Sequence, residues 1–155
     1  MNSFRSDRGL EGLTEKRKSE TGGTSEAMKG QEIVDFRDLE VWKQCREIRQ
    51  DMWRTSKSLP KDEKFRLNDQ LIRASRSASA CIAEGYGRYH YQENIQFCRQ
   101  ARGSLYELID HVLVAVECEY LEGRRGEEFI GKIKKAVQTL NGYIRFLKRQ
   151  QDASK

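Results

Sequence analysis

The residue types best suited to chemistry are concentrated in one stretch, where Glu84 is followed by Gly85-Tyr86-Gly87-Arg88-Tyr89-His90. Aromatic rings interleaved with a cation are what unpaired bases stack on and what phosphates pair with in single-stranded nucleic acid. The same letters also suit a helix–helix connection, whose glycines permit positive φ and whose tyrosines pack on the end of a bundle. The Gly-x-Gly is no dinucleotide fingerprint, because no strand precedes it and the third glycine is missing. A second candidate is diffuse positive charge: Arg66, Arg73 and Arg76, then Arg99 and Arg102, then Lys132, Lys134, Lys135, Arg145, Lys148 and Arg149. Such a set can track a phosphate backbone. It can also be a group of solvated helix faces with i,i+4 pairs, such as Glu128 with Lys132.

Glu84 and Glu107 each follow small or apolar residues and lie close to an inward stripe. Two carboxylates in a buried site could serve as general acid and base. Buried carboxylates need partners, however, so pairing with Arg73 or Arg76, or capping of backbone amides, is the expected role. No nucleophile stands beside a base, no metal-ligand spacing occurs and no phosphate cradle is present, so neither catalytic residue, metal nor cofactor is expected, and the chain reads as a non-enzyme.

Those residues must be positioned by long helices. The chain has 155 residues, enough for a single core, with one proline and 34% charged residues. Lys, Arg and Glu lose little rotamer freedom in a helix and keep their charged heads in water. The net charge of +5 arises from 29 Lys and Arg against 24 Asp and Glu, which permits an anionic partner. Cys45, Cys81, Cys98 and Cys118 stand singly and read as reduced, buried hydrophobes. The absence of a long apolar run and of a signal core argues for a cytoplasmic protein with no membrane partner.

Residues 1–33 interleave charges with Ser, Thr and Gly and are expected to form a disordered tail, within which Met28 is an alternative translation start. Residues 34–150 read as an all-α, antiparallel up-down four-helix bundle, and residues 151–155 as a frayed end. The first helix is expected from an Asp38 N-cap to Lys57, with Val41, Cys45, Ile48 and Met52 as its stripe and Trp42 and Trp53 flanking it. Pro60 then opens the second helix, whose stripe includes Phe65, Leu67, Leu71, Ala74, Ala78 and Ile82, and which Gly85 and Gly87 end. Its small residues allow a neighbouring backbone to approach closely. The third helix is expected from Tyr91 to Leu121, with Ala101, Gly103 and Ser104 as the matching small patch. A mid-helix glycine costs about 1 kcal/mol against alanine, so a close contact at Gly103 is expected in compensation. After a break at Glu122 to Gly126, Ile130, Ile133, Val137, Leu140, Ile144 and Leu147 define a fourth helix over about Glu127 to Arg149.

Four motifs occur in order: Pro60-x-x-Glu63; Leu67-x-x-Gln70-x-x-Arg73-Ala74; Ile82-Ala83-Glu84-Gly85-x-Gly87-Arg88; and Ala101-x-Gly103-Ser104-x-x-Glu107. Together they resemble the bacterial four-helix-bundle family named after open reading frames within intervening sequences of 23S ribosomal RNA genes, over about Phe36 to Leu121. The resemblance implies a small cytoplasmic bundle, without known enzymatic activity, that assembles as a homo-oligomer, usually a homopentameric ring. The accessory variability determinant of diversity-generating retroelements is similar, and it binds a reverse transcriptase and nucleic acid. That likeness implies RNA as partner, or a reverse transcriptase docked on the ring; from the basic helix faces and the aromatic-basic stretch, the residues expected to contact RNA are Arg73, Arg76, Tyr86, Arg88, Tyr89, His90, Arg99, Arg102, Lys132, Lys135, Arg145, Lys148 and Arg149. Ala74, Ala78, Glu84, Gly85, Gly103, Ser104 and Glu107 are then structural. Where the family usually has Ser-Ile-Pro-Ser-Asn, this chain has Ser77-Ala78-Ser79-Ala80-Cys81, which implies a straighter second helix and no transferable role for that asparagine.

Overall fold

The computed structural model describes residues 32–155. Among the described residues there are four α-helices, α1 (Glu40–Ser56), α2 (Leu67–Gly87), α3 (Tyr91–Glu117) and α4 (Gly123–Ala153), two short 3-10 turns, and no strand. The Met28 start and all but the last two residues of the expected tail lie outside the described residues. Within the part described, Ile33 already packs half-buried against the core.

The apolar stripes become one core. Val41, Cys45, Ile48 and Met52 on α1 and the six-residue stripe of α4 are buried, as are Ala74, Ala78 and Ile82 on α2 and Ala101, Leu105, Leu108 and Val112 on α3. Each fully buried Leu or Ile contributes roughly 1.5–3 kcal/mol by leaving water. Consecutive helices pack on each other, and α1 also packs on α4, which closes the arrangement around that core.

The ends of the helices differ from the expected ones. Asp38 does not cap α1. It belongs to a 3-10 turn, Phe36–Asp38, in which Asp35 Oδ1 accepts from the Arg37 amide at 2.6 Å and Asp38 Oδ2 accepts from the Asp35 and Val34 amides at 3.0 and 2.9 Å. Those amide donors hold the Asp38 carboxyl below its ordinary pKa. Pro60 is followed by a second 3-10 turn, Lys61–Glu63, so α2 starts only at Leu67 and Phe65 is left 85% exposed. Glu63 bridges this segment, since its carboxylate accepts from the Leu67 amide and from the Tyr120 hydroxyl, both at 3.1 Å.

Gly85 does not break α2, which runs through it and ends at Gly87. Gly85 is buried because α3 passes close by: a Cβ there would stand 2.8 Å from Phe97 Cβ and 3.2 Å from the Asn94 carbonyl oxygen. The left-handed residue of the connection is Tyr89, at φ 61°. At the next connection Glu119 takes that role, at φ 59°, while the amides of Tyr120 and Leu121 both donate to the Ala115 carbonyl. Consequently α3 ends at Glu117 and α4 starts at Gly123, with Gly126 inside the helix and close enough to Val116 that an added Cβ would lie 2.5 Å from its Cγ2. At its other end α4 continues to Ala153, beyond the expected Arg149.

The α2–α3 seam is joined by the small residues, but not at Gly103. Ser77 Oγ and Ser104 Oγ share a hydrogen bond of 2.9 Å, and Ala101 is fully buried, whereas Gly103 is exposed with nothing within 4 Å of a would-be Cβ. Helical phase explains this: Ala101 and Ser104 share the inward side, and Gly103 falls between them on the outside.

Candidate nucleic-acid interface

The connection between α2 and α3 is shorter than the aromatic-basic stretch that suggested it, because Gly85 to Gly87 belong to the helix. Tyr86 is half-buried and donates its hydroxyl to the Val34 carbonyl at 3.3 Å, so it fastens the segment before α1 instead of presenting an open ring. Arg88, Tyr89 and His90 remain exposed. The Arg88 guanidinium is fixed twice: it donates to Glu84 Oε1 at 2.8 Å, which raises its pKa further, and it lies 5.2 Å from the centroid of the Phe97 ring. The positive φ of Tyr89 turns its ring outward, 53% exposed.

Glu84 is therefore not an inward carboxylate, and it pairs with neither Arg73 nor Arg76. Its side chain is 52% exposed and engaged by Arg88 one turn later. Glu107 is likewise 53% exposed, with His111 Nε2 at 3.3 Å. Both point away from the core because the buried phase of each helix is filled by Ala78, Ile82, Leu105 and Leu108. The two carboxylates sit on different helices, each met by a partner of its own helix, and form no joint site.

The basic set separates into committed and uncommitted side chains. Lys132 Nζ lies 2.7 Å from Asp51 Oδ2, a carboxylate only 7% exposed that also receives Arg54 at 3.1 Å. Lys132 is thus a tie between α4 and α1, and Glu128, its expected partner, instead meets Arg125 at 2.8 Å and Arg124 at 3.7 Å. Arg102 Nη1 donates to Asn141 Oδ1 at 2.9 Å and ties α3 to α4, and Arg73 faces Asp69 at 3.9 Å. By contrast Arg76, Arg99, Lys134, Lys135, Arg145, Lys148 and Arg149 are exposed, and none forms an ion pair among the described residues.

The greatest concentration is on α4. From Phe129 to Gln151 the sequence contains no Asp or Glu, and the outward face over that length shows Lys134, Lys135, Arg145, Lys148 and Arg149. Half-buried Tyr143 and Phe146 stack beside this face with centroids 6.4 Å apart. A hydrogen bond of 2.8 Å from Gln151 to Gln92 brings the last turns of α4 to the same end of the molecule as Arg88, Tyr89 and His90. Uncommitted cations along about four helical turns, without a carboxylate of their own stretch to neutralise them, make a surface that attracts polyanions.

The two buried thiols add nothing reactive to this surface. Burial pushes Cys45 and Cys98 up to about 12, so both stay protonated at neutral pH. Cys81 is half-buried and Cys118, expected inside, is exposed because the chain turns away after Glu117.

Sequence reasoning missed one constellation. Arg76 shares a cleft of about 360 Å³ with Arg49, Gln50 and Trp53 of α1. The available signal was spacing, since Trp42, Arg49 and Trp53 at i, i+7 and i+11 share one face of a helix.

No curated protein matches the chain. A family model described as 23S rRNA-intervening sequence protein matches residues 37–142, which spans α1, α2, α3 and the first two-thirds of α4 and includes both the small-residue seam and the Arg88 connection. On that match, covering well over half of its length, the chain belongs to the 23S rRNA-intervening sequence protein family.

Proposed function

We propose that this protein is a non-catalytic, cytoplasmic, ring-forming bundle of four antiparallel up-and-down helices that binds structured RNA through its basic helix faces. The observation that carries the reading is the outward face of α4, where Lys134, Lys135, Arg145, Lys148 and Arg149 stand exposed without one intervening carboxylate. The family's name supports ribosomal RNA as the class of partner. The up-and-down course is supported by pairs at both ends of α3, since Asn94 near its start meets Tyr143 late in α4 while Val116 near its end meets Gly126 early in α4. The pentameric ring, and kinship with the accessory variability determinant, are implied by the sequence resemblance. No helix among the described residues is long and apolar enough to cross a membrane.

Filter binding of the purified protein to structured RNA tests this. Six to ten phosphate contacts predict a loss of about 10³–10⁵ in affinity between 50 and 200 mM salt. Absence of binding even at the lower salt would remove the RNA reading.

One observation favours a second reading. Tyr106 and Leu113 lie one heptad apart on α3 and are 59% and 41% exposed, an apolar stripe suited to a protein partner such as a reverse transcriptase, with nucleic-acid contact secondary. Pulldown after nuclease treatment separates the two, because a contact bridged by RNA disappears and a direct one persists.

A further inference from the structure

The cleft between α1 and α2 holds a combination that internal packing does not account for. Arg49 and Arg76 line it together with Gln50 and Trp53, and no carboxylate is among the lining residues. Neither guanidinium is ion-paired among the described residues, and Asp51, next to Gln50 in sequence, is committed to Lys132 and Arg54. Two guanidinium groups brought to one cleft repel each other unless an anion joins them. Arg49 is also held in place: its Nη1 donates to Ser79 Oγ at 2.9 Å, its guanidinium lies 5.5 Å from the Trp42 centroid, and Ser79 Oγ in turn donates to the Arg76 carbonyl at 3.1 Å. A fixed guanidinium loses less freedom when it meets an oxyanion than a floppy one.

Trp53 supplies the other half of the chemistry. It is 50% exposed, unusual for so large an apolar surface, and the Lys57 ammonium lies 5.0 Å from its ring centroid, which places a third cation beside the cleft. A half-exposed indole next to two Arg forks matches a planar base linked to a phosphate, since indole stacks on a base and a guanidinium grips phosphate oxygens in pairs. A ligand that is only anionic leaves the indole unused, and one that is only apolar leaves both guanidiniums unpaired.

We propose that this cleft holds one unpaired nucleotide of a bound RNA strand, with the base against Trp53 and the phosphate between Arg49 and Arg76. The inference rests on the RNA-binding reading and adds a site between α1 and α2 whose lining includes no residue of α4. It divides the labour: α4 supplies sequence-independent attraction to phosphate, and the cleft supplies preference for an unpaired residue.

The test uses the full chain with three probes: a short single-stranded oligoadenylate, a blunt RNA duplex without unpaired residues, and adenosine monophosphate. In the Trp42→Phe chain Trp53 is the sole tryptophan, so its emission reports the cleft directly, and quenching by oligoadenylate is expected. Trp53→Ala and Arg76→Ala, both at exposed positions and checked for native helicity by circular dichroism, should each weaken oligoadenylate binding about tenfold, in line with the loss of one stacked base or one phosphate contact. Duplex affinity should stay within about twofold, as its phosphates are met elsewhere. Unquenched emission together with unchanged oligoadenylate affinity in both variants, while RNA still binds, overturns the cleft and leaves the wider reading standing. Quenching by adenosine monophosphate but not by oligoadenylate overturns the assignment to a strand. Failure of the unmodified chain to bind any RNA removes both readings.

Discussion

The seam between α2 and α3 and the outward face of α4 are built on opposite terms. In the seam almost every side chain is answered: Ser77 by Ser104, Cys98 by Asn94 at 3.5 Å, and Gly85 by the backbone of α3 itself. On the face of α4 five cations stand unanswered. The seam leaves no room for a ligand, and the face offers few contacts that would specify a fold. Most motifs by which the family is recognised fall on the seam, so what identifies this protein and what it offers a partner lie largely on different residues. Arg88 is the exception, because it closes the seam's end through Glu84 and Phe97 and still lies exposed at the end shared with Lys148 and Arg149.

The contrast breaks most severely at Gly85. Leucine there would drive a side chain into Phe97 Cβ at 2.8 Å and the Asn94 carbonyl oxygen at 3.2 Å, and a main-chain atom cannot rotate away. Overpacking of this kind costs about 1–3 kcal/mol or more, and the backbone obstacle puts Gly85→Leu at the upper limit. Urea denaturation should show that loss as a lower midpoint. The protein that remains folded should bind RNA with unchanged affinity, which separates a seam residue from a surface one.

Next in size is the face itself. Replacing Lys134, Lys135, Arg145 and Arg149 together by Gln should lower RNA affinity by about two orders of magnitude and flatten the salt dependence by about one unit of slope per lost phosphate contact. Stability should move by no more than about 0.5 kcal/mol, because these side chains touch little. Lys132→Gln serves as the counter-example on the same helix. It leaves the buried Asp51 to Arg54 alone, so about 1 kcal/mol of stability should be lost, a figure kept small because the Lys132 side chain is half exposed, while the salt slope stays unchanged. If both variants alter the slope equally, the division between committed and uncommitted cations is wrong.

What could be read in the sequence follows the same division. Apolar periodicity locates a core directly, and the stripes Val41-Cys45-Ile48-Met52 and Ile130 through Leu147 are buried to the last residue. The small residues of α2 announced a close approach, and Ser77 to Ser104 delivers it. Glycine was misread in both directions because one letter serves several physical ends. Gly85 and Gly126 looked like punctuation and are instead places where a neighbouring helix comes too near for a Cβ, the tertiary contact outweighing a helix penalty of about 1 kcal/mol each. Glu84 and Glu107 looked inward because apolar neighbours surround them in sequence, but at 100° per residue a neighbour in sequence is not a neighbour on the face. The Arg49, Trp53 and Arg76 cleft needed two helices to be brought together: the spacing of Trp42, Arg49 and Trp53 shows their common face on α1, but nothing in it shows that Arg76 of α2 meets them there.

Gly103 gives the smallest effect and the sharpest sign. It looked like the glycine that the seam requires, yet an added Cβ would meet nothing within 4 Å. Gly103→Ala should therefore stabilise the free chain by roughly 0.4–1 kcal/mol, through the lost freedom of the unfolded state and the better helix propensity of alanine. At this chain length that corresponds to a rise of about 2–4 °C per kcal/mol in thermal melting, measurable by circular dichroism. Gly85→Ala, by the same measurement, should move the other way, because its Cβ has an atom in the path. Two glycines on helices that share one seam would then respond with opposite signs to the same methyl group. A fall in melting temperature for Gly103→Ala would mean that this glycine is covered by something beyond its own chain, and sedimentation of the variant would show whether the partner is a second copy in the proposed ring.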